Sequence, residues 1–278
     1  MKTILRTFVG CTAILFGTAC MGAVKYVPEN MKVELSLKVP GNNAVNYKLH
    51  PDKLENSYFD YEWRSDNKLP ITVFHKVEER DSCMRLTVQL TAAQDVYFNY
   101  RQLLSTGYRH YNCQFYMPGF WYRRNLRSPK KAPSFHTSDS WLVREDRLSA
   151  PLTGIFSEKE KRFMTVNRLD DFSMDALATH KEGEIILSGK TSLGFTGFEN
   201  QQGIAMLSFG FPYREAPKSY IRKLTLAPEV EAFQLMKKGE SVLLTWEIME
   251  SGADDFSDFI QHTWEHCYDT YAPKPVEN

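Results

Sequence analysis

The strongest constraint on the fold is an alternation of apolar and polar residues that recurs along most of the chain. Val33, Leu35 and Leu37 alternate with polar neighbours, and 86–90 repeats the pattern. A period of two residues is typical of a β-strand with one buried face, because successive side chains point to opposite sides. Further strands are predicted at 58–64, 71–77, 96–104, 163–166, 185–187, 204–211, 220–226, 231–235 and 242–248.

This strand pattern predicts an all-β protein. No helical segment of useful length separates the strands, so the crossovers that parallel sheets require are absent and the sheets should be antiparallel. Aromatic residues make up 13% of the chain, which favours pleated, half-buried surfaces. We expect a large two-sheet antiparallel β-sandwich over residues 24–252, followed by a linker helix within 253–278.

The composition excludes two classes of protein. With 42% hydrophobic and 24% charged residues, the 278-residue chain can bury a core and is not a disordered segment. Its 34 basic and 34 acidic side chains cancel, whereas binding to nucleic acid needs an excess of Lys and Arg to neutralise phosphates. We therefore expect no nucleic acid partner.

Residues 1–19 have the pattern of an export signal. Lys2 and Arg6 precede an apolar run, FVGCTAILF, at 8–16. This run is shorter than the roughly 20 residues that a membrane-spanning helix needs. The pattern predicts an exported protein.

The residues that follow this run offer two cleavage patterns. Gly-Thr-Ala-Cys at 17–20 resembles a bacterial lipoprotein signal, although Gly17 stands where leucine is usual. In that case Cys20 is acylated and anchors the protein to a membrane, which predicts a periplasmic or outer-membrane location. Cleavage after Ala19 or Ala23 without acylation is the alternative.

One helix is predicted near the end of the sequence. Asp255 can cap it, and Pro273 stops it. Its apolar positions follow helical spacing and are Phe256, Phe259, Ile260, Thr263, Cys267 and Tyr271. His262 and His266 share one face at a spacing that suits a metal, but the Glu of a metalloprotease motif is missing, so we predict a solvated helix face and no metal.

The segment 105–150 breaks the strand rhythm and carries the candidate site. It is aromatic and basic, and loops of this length inside a compact domain are often functional. Carbohydrate sites combine aromatic platforms with multidentate polar groups, and arginine matches carboxylates or sulfates bidentately. The predicted carbohydrate-binding residues are Trp121, Tyr122, Arg123, Arg124, His136, Trp141, Arg144 and Glu145.

The alternative for this segment is structural. The aromatic rings would close one end of the sandwich, and the arginines would pair with Glu145 and Asp146. These two carboxyls are not a good catalytic pair, because glycosidic cleavage needs two that converge on one bond and neighbours on a strand point to opposite faces. Asp139 with Glu145 remains a possible pair, but we predict no catalytic residue. No glycine-rich phosphate loop is present, and we expect no cofactor.

The cysteines leave two possibilities open. Of the five in the chain, Cys11 lies in the export signal and Cys20 is the predicted acylation site, so Cys83, Cys113 and Cys267 remain. Cys83 and Cys113 could form a disulfide across the sheets, or all three could be buried thiols.

Three stretches resemble a known family. WYRRN at 121–125, WLVREDRLSAPLTGIF at 141–156 and DFSDFIQHTWEHCYDTYAPKP at 255–275 are similar to the N-terminal β-supersandwich module of exported carbohydrate-active enzymes of Bacteroidetes-type bacteria. In such enzymes the module precedes a catalytic α/α toroid, which carries most of the catalytic residues. The resemblance implies that this sandwich supports a toroid, in the same chain or a separate one, and that 118–147 borders the substrate cleft.

Three functions are consistent with these patterns. The first is a non-catalytic module of a glycoside hydrolase or polysaccharide lyase acting on a polysaccharide or oligosaccharide with uronic or sulfated sugars. The second is a free-standing carbohydrate-binding lipoprotein that uses the aromatic and arginine residues. The third is a structural surface lipoprotein without a small ligand. The first predicts an exposed apolar face near the terminal helix, because a toroid would cover it.

Overall fold

A computed structural model describes residues 28–55, 60–127, 132–170, 181–222 and 225–273. The export signal and Cys20 lie outside these residues, and so do 128–131 of the candidate segment. Within the described part of the chain, no helix is long and apolar enough to cross a membrane.

The regular secondary structure of the described residues is mostly β-strand, as the alternation predicts. The strands are β1 (Met31–Lys38), β2 (Val45–Lys53), β3 (Asp60–Arg64), β4 (Ile71–Glu79), β5 (Met84–Ala92), β6 (Val96–Arg109), β7 (Cys113–Met117), β8 (Trp121–Arg123), β9 (Trp141–Arg144), β10 (Leu152–Ser157), β11 (Arg162–Arg168), β12 (Gly183–Ile186), β13 (Phe195–Gln201), β14 (Ile204–Phe211), β15 (Arg214–Glu215), β16 (Ser219–Arg222), β17 (Thr225–Ala227), β18 (Val230–Met236) and β19 (Ser241–Gly252). One α-helix, α1 (Phe256–Tyr271), follows the last strand.

Seventeen of the strands form one continuous hydrogen-bonded sheet that folds into two layers. The first layer has the order β2-β1-β6-β14-β13-β9. The second has the order β2-β3-β4-β5-β19-β11-β10-β7-β8. Strand β2 belongs to both, because residues 45–49 pair with β1 and residues 50–53 pair with β3. The predicted large antiparallel sandwich is confirmed.

One pairing departs from the antiparallel prediction. Strand β12 runs parallel to β18, which also pairs with β15 and with the start of β6. Because β14 pairs with β6 only from Tyr100 onward, this small group continues the first layer beside the start of β6. It is reached through residues 171–180, which lie outside the described residues.

Large aromatic side chains join the two layers. Trp246 of β19 lies between Tyr100 of β6 and Phe209 of β14, with ring centroids 6.4 and 5.2 Å apart. All three rings are buried. Aromatic burial of this kind supplies a large share of the hydrophobic stabilisation of a sandwich.

The segment 105–150, predicted as a long loop, contains more regular structure than expected. Strand β6 continues to Arg109, and β7, β8 and β9 follow within the segment. The prediction was wrong because these strands find partners far away in the sequence: β7 pairs with β10, and β9 pairs with β13. Such pairing is decided by tertiary contacts and leaves little local signal.

Helix α1 forms where it was predicted and packs on the second layer. The Asp255 carboxylate caps it by accepting hydrogen bonds from the backbone nitrogens of Ser257 and Asp258, at 2.7 and 2.9 Å. Phe259 is fully buried and lies directly over Gly154 of β10. The absence of a side chain at Gly154 therefore lets the helix approach the sheet closely.

Candidate functional site

Trp121 and Trp141, two of the predicted sugar-binding rings, lie in the core. Their exposed fractions are 0% and 1%, and their ring centroids lie 5.4 Å apart. Each indole nitrogen donates to a backbone carbonyl, that of Arg123 at 2.7 Å for Trp121 and that of Ser138 at 2.8 Å for Trp141. The prediction that these two rings form a binding platform is wrong, because both point inward on their strands. They close this part of the sandwich, as the structural alternative proposed.

Arg144 is committed to a neighbouring carboxylate. Its guanidinium donates two hydrogen bonds of 2.6 Å to Asp146 and lies 5.1 Å from the centre of the Tyr213 ring. Pairing of an arginine with Asp146 was part of the structural alternative and is confirmed for Arg144. This arginine is not available to bind a sugar.

Glu145 is also committed inside the protein. Its carboxylate is completely buried and accepts from Arg168 Nη1 at 2.6 Å and from the backbone nitrogen of Gly194 at 2.7 Å. Burial raises the pKa of this carboxyl, and the adjacent Arg168 opposes that shift. The prediction of a carbohydrate contact at Glu145 is wrong, since solvent does not reach it.

Tyr122, Arg123 and Arg124 are the predicted residues that the structure brings together at an open surface. Strand β8 pairs with β7 so that Tyr122 lies opposite Tyr116. Because side chains alternate along β8, Trp121 enters the core while Tyr122 remains 52% exposed. These three residues line one surface groove. The eighth predicted residue, His136, is exposed but lies outside that groove.

The groove is also lined by residues that the sequence analysis did not predict. It encloses about 640 Å³ and is lined by Gln114, Tyr122, Arg123, Arg124, Asn125, Leu126, Arg127 and Glu158. Arg127 lies three positions after the predicted Arg124. Glu158 is distant in sequence and is brought to the groove by the pairing of β10 with β7. No local pattern marks Glu158 as a site residue.

The backbone of the groove is held in an unusual conformation. Arg123 and Asn125 have positive φ angles of 55° and 47°. Such angles cost energy in residues other than glycine and are concentrated at functional sites. The Asn125 side chain supports the turn by accepting from the Tyr122 backbone nitrogen at 3.2 Å.

The three arginines of the groove differ in how far they are engaged by other groups of the protein. Arg124 donates to the backbone carbonyls of Cys113, at 3.0 Å, and Tyr111, so it supports the groove wall. Arg123 lies 5.2 Å from the centre of the Phe256 ring at the start of α1. Among the described residues, neither Arg123 nor Arg127 has a carboxylate partner within 4 Å, and both side chains are exposed. An anion could therefore bind these two guanidinium groups without displacing a carboxylate.

A second groove lies beside β12, β15 and β18. It is rich in glutamate, but its charges are largely neutralised within the protein. The ion pairs are Arg101–Glu199, Arg147–Glu215, Arg214–Glu231, Lys38–Glu184 and Lys218–Glu182. This groove therefore has less capacity to recognise a charged ligand than the one at Tyr122.

The two histidines of α1 have different environments. His262 lies 3.5 Å from Asp258, and its ring centroid is 6.1 Å from that of the buried Phe163, so this face is only partly solvated at His262. His266 turns inward, with Nε2 3.2 Å from the Glu247 carboxylate, so the solvated-face prediction is wrong for it. Cys83, Cys113 and Cys267 are all free thiols, and the possible Cys83–Cys113 disulfide is not formed.

No protein-family model and no curated protein matches the sequence. Parts of the fold are similar to solved structures. A polysaccharide lyase is 14% identical with a TM-score of 0.36, and the match covers 81% of this chain and 26% of the lyase. A protein from Synechocystis sp. PCC 6803 is 7% identical with a TM-score of 0.40, over 78% of this chain and 73% of the other. A chain described as a kojibiose phosphorylase from the human microbiome is 4% identical with a TM-score of 0.35, over 88% and 25%. This chain thus spans about a quarter of the lyase and of the phosphorylase.

Proposed function

We propose that this chain is a β-sandwich module of a polysaccharide-degrading enzyme, and that its groove binds an acidic polysaccharide. The observation that carries the proposal is the half-exposed ring of Tyr122 beside the exposed guanidinium groups of Arg123 and Arg127, neither of which has a carboxylate partner among the described residues. A sugar ring can stack on the tyrosine through its C–H face. The arginines can then form paired hydrogen bonds with a uronic carboxylate or a sulfate.

The groove is suited to binding without cleavage. Hydrolysis of a glycosidic bond needs two carboxyl groups about 5–9 Å apart. Glu158 is the only acidic residue among the described residues that line the groove, and its carboxylate accepts a hydrogen bond from the Gln114 amide. We therefore propose that cleavage is carried out by another domain.

The outer face of α1 is the proposed contact for that domain. Trp264, Tyr268 and Tyr271 are 39%, 65% and 41% exposed on this face, beside residues 149–151. Aromatic residues with an apolar body and a polar edge are enriched at protein interfaces. The resemblance to modules that precede an α/α toroid favours a helical catalytic domain as the occupant, in the same chain or a separate one.

The aromatic face and the groove are neighbours, which supports a shared substrate cleft. The Trp264 indole nitrogen donates to the Tyr116 hydroxyl at 2.7 Å. The Tyr116 ring in turn meets Tyr122 edge to face, with centroids 5.3 Å apart. A domain seated on α1 would therefore border the groove, and a polysaccharide could contact both.

Binding to defined polysaccharides tests the proposal. Affinity electrophoresis and calorimetry with polygalacturonate, chondroitin sulfate and neutral dextran should show binding to the two acidic polymers only. Arg123→Ala/Arg127→Ala and Tyr122→Ala should each weaken binding at least about tenfold, or about 1.4 kcal/mol. Arg80→Ala removes an exposed arginine outside the groove and is the matched control. Equal binding by wild type and all three variants would refute the assignment of the groove.

A free-standing carbohydrate-binding protein is the second candidate. It is favoured by the exposed Tyr122 ring and the two exposed arginines that line one groove. Its original platform of Trp121 and Trp141 is excluded by their burial, so Tyr122 would have to serve alone. The affinity of the purified chain for an acidic polysaccharide discriminates the two candidate functions. A module that shares its cleft should bind weakly alone and more strongly when a helical catalytic domain is present.

We also propose that the protein is exported and acylated at Cys20. The support is the signal-like pattern of residues 1–19 and the Gly-Thr-Ala-Cys stretch at 17–20. Labelled palmitate should be incorporated by the wild type and by Cys11→Ala, but not by Cys20→Ala. Equal labelling of all three proteins would exclude lipid attachment at this position.

A further inference from the structure

Cys83, Glu247 and His266 converge at a place where three separate elements meet. Cys83 lies in the turn just before β5, Glu247 lies on β19, and His266 lies in the third turn of α1. Their sulfur, oxygen and nitrogen atoms all lie within 4.8 Å of one another. The convergence is tertiary, since each residue comes from a different part of the chain.

The three side chains form a ligand set that favours zinc. A thiolate, an imidazole and a carboxylate are the groups that bind Zn²⁺ in proteins, and sites with three protein ligands leave a fourth position for water. In a tetrahedral site, metal–ligand bonds of about 2.0–2.1 Å place nitrogen and oxygen ligands about 3.3 Å apart. The observed separation between His266 Nε2 and Glu247 Oε2 is 3.2 Å.

Neighbouring groups orient the carboxylate for this role. Arg85 donates twice to Oε1 of Glu247, from Nε at 3.2 Å and from Nη2 at 2.6 Å. The other oxygen, Oε2, faces His266 and also accepts from the Thr270 hydroxyl at 3.2 Å. Hydrogen bonds that hold a carboxylate ligand in place are a regular feature of metal sites.

Burial separates this cluster from an ordinary surface ion pair. Cys83 and Glu247 are buried, whereas His266 is partly exposed and offers an entry path. A pair of imidazolium and carboxylate would account for His266 and Glu247, but it does not need a thiol at the same point. A metal ion would use all three groups.

We propose that Cys83, Glu247 and His266 bind one Zn²⁺ ion, which joins α1 to strands β5 and β19. Binding displaces the Cys83 thiol proton and the proton on His266 to solvent, and no electron is transferred. The site is distinct from the polysaccharide groove and does not depend on the proposed function.

Cobalt substitution and zinc titration test this proposal. The full chain should carry Cys11→Ser and Cys20→Ser in every sample, so that the buried thiols of Cys83, Cys113 and Cys267 are the only ones. After chelation and dialysis, Co²⁺ should give a thiolate-to-cobalt charge-transfer band in the near ultraviolet. Calorimetry should show one Zn²⁺ per chain, and zinc should raise the thermal midpoint.

Matched variants identify the ligands. Cys83→Ser should abolish the charge-transfer band, and His266→Gln should weaken Zn²⁺ binding on the order of 100-fold or more. Cys267→Ser and His262→Gln change a thiol and a histidine of the same helix and should bind as wild type. If Cys83→Ser does not fold by circular dichroism, the partly exposed His266 provides the test alone. Absence of the cobalt band in the parent protein with Cys11→Ser and Cys20→Ser, or zinc binding unchanged by His266→Gln, would overturn the assignment.

Discussion

The guanidinium of Arg168 and the carboxylate of Glu145 form an ion pair inside the protein, with Nη1 and Oε2 2.6 Å apart. Their side chains are 4% and 0% exposed. Arg168 also donates from Nε to Asp170 at 3.0 Å, and the Gly194 backbone nitrogen donates to Glu145. The pair connects the end of β9 to the end of β11, so Glu145 has a structural role.

Removal of one member of this pair should destabilise the protein strongly. Glu145→Ala leaves the buried Arg168 charge with only the partly exposed Asp170 as a carboxylate partner. Breaking a buried ion pair typically costs about 3–5 kcal/mol, and the remaining contact with Asp170 offsets part of that cost. Urea unfolding should show this loss, and Glu145→Leu/Arg168→Met should recover part of it because the two fully buried charges are then both removed. A change below about 1 kcal/mol for Glu145→Ala would contradict the role assigned to the pair.

A buried histidine should make the protein sensitive to acid. His75 Nε2 lies 2.8 Å from the Tyr100 hydroxyl, which donates to Gln102, so the histidine is the donor in the first contact. Burial lowers the pKa of His75 from 6.5 to about 3. Between these two values the unfolded chain binds a proton that the folded protein does not, so stability falls as pH falls, by up to about 1.4 kcal/mol per pH unit.

The free energy of unfolding, measured by urea between pH 7 and pH 4, checks this prediction. His75→Gln keeps a donor toward Tyr100 but cannot be protonated, so the decline toward acid should become shallower. His50→Gln, at an exposed position of β2, should leave it unchanged. An equal decline in all three proteins would show that His75 is not the group responsible.

The neighbouring residues Trp121 and Tyr122 should respond in opposite ways to truncation. Trp121→Ala opens a cavity in the core and should cost about 3–5 kcal/mol. Tyr122→Ala removes a ring that is 52% exposed and should cost about 1 kcal/mol or less, while it weakens polysaccharide binding. Thermal unfolding measured beside the binding assay separates the two effects. Loss of binding in a fully folded Trp121→Ala protein would conflict with the burial of that ring.

The contact between Gly154 and Phe259 should be intolerant of a larger residue. A Cβ at position 154 would lie 2.6 Å from Cζ of Phe259 and 3.1 Å from Cγ2 of Thr165. Gly154→Ala should therefore push α1 away from the sheet and cost about 1–3 kcal/mol. Hydrogen exchange should show reduced protection of the α1 amides.

Two further variants control for this effect. Gly154→Ala/Phe259→Leu should regain part of the stability, because the smaller side chain makes room for the methyl group. Gly252→Ala, where the nearest atom to a new Cβ would be 3.7 Å away, should leave α1 protected as in the wild type. Equal loss of protection in Gly252→Ala would indicate that the contact with Phe259 is not the cause.

Predictions from the sequence were correct where the interactions that decide the structure join residues a few positions apart. Asp255 caps α1 because an N-cap depends on residues two and three positions later. Arginines clustered with aromatics did mark the region of the groove, but the pattern could not tell Tyr122 from Trp121. One residue's shift in strand register exchanges the inward and outward faces, and that register is set by the partner strand β7.

The sequence by itself determined the all-β class, many of the strands, the capped helix and the basic aromatic segment, because strand alternation, capping and composition act over a few residues. Only the tertiary structure decided which rings are buried, that Glu145 pairs with Arg168, and that Glu158 reaches the groove. It also decided that Cys83, Glu247 and His266 meet. Each of these contacts joins residues far apart in the chain, and its geometry follows from how the two layers and α1 pack together.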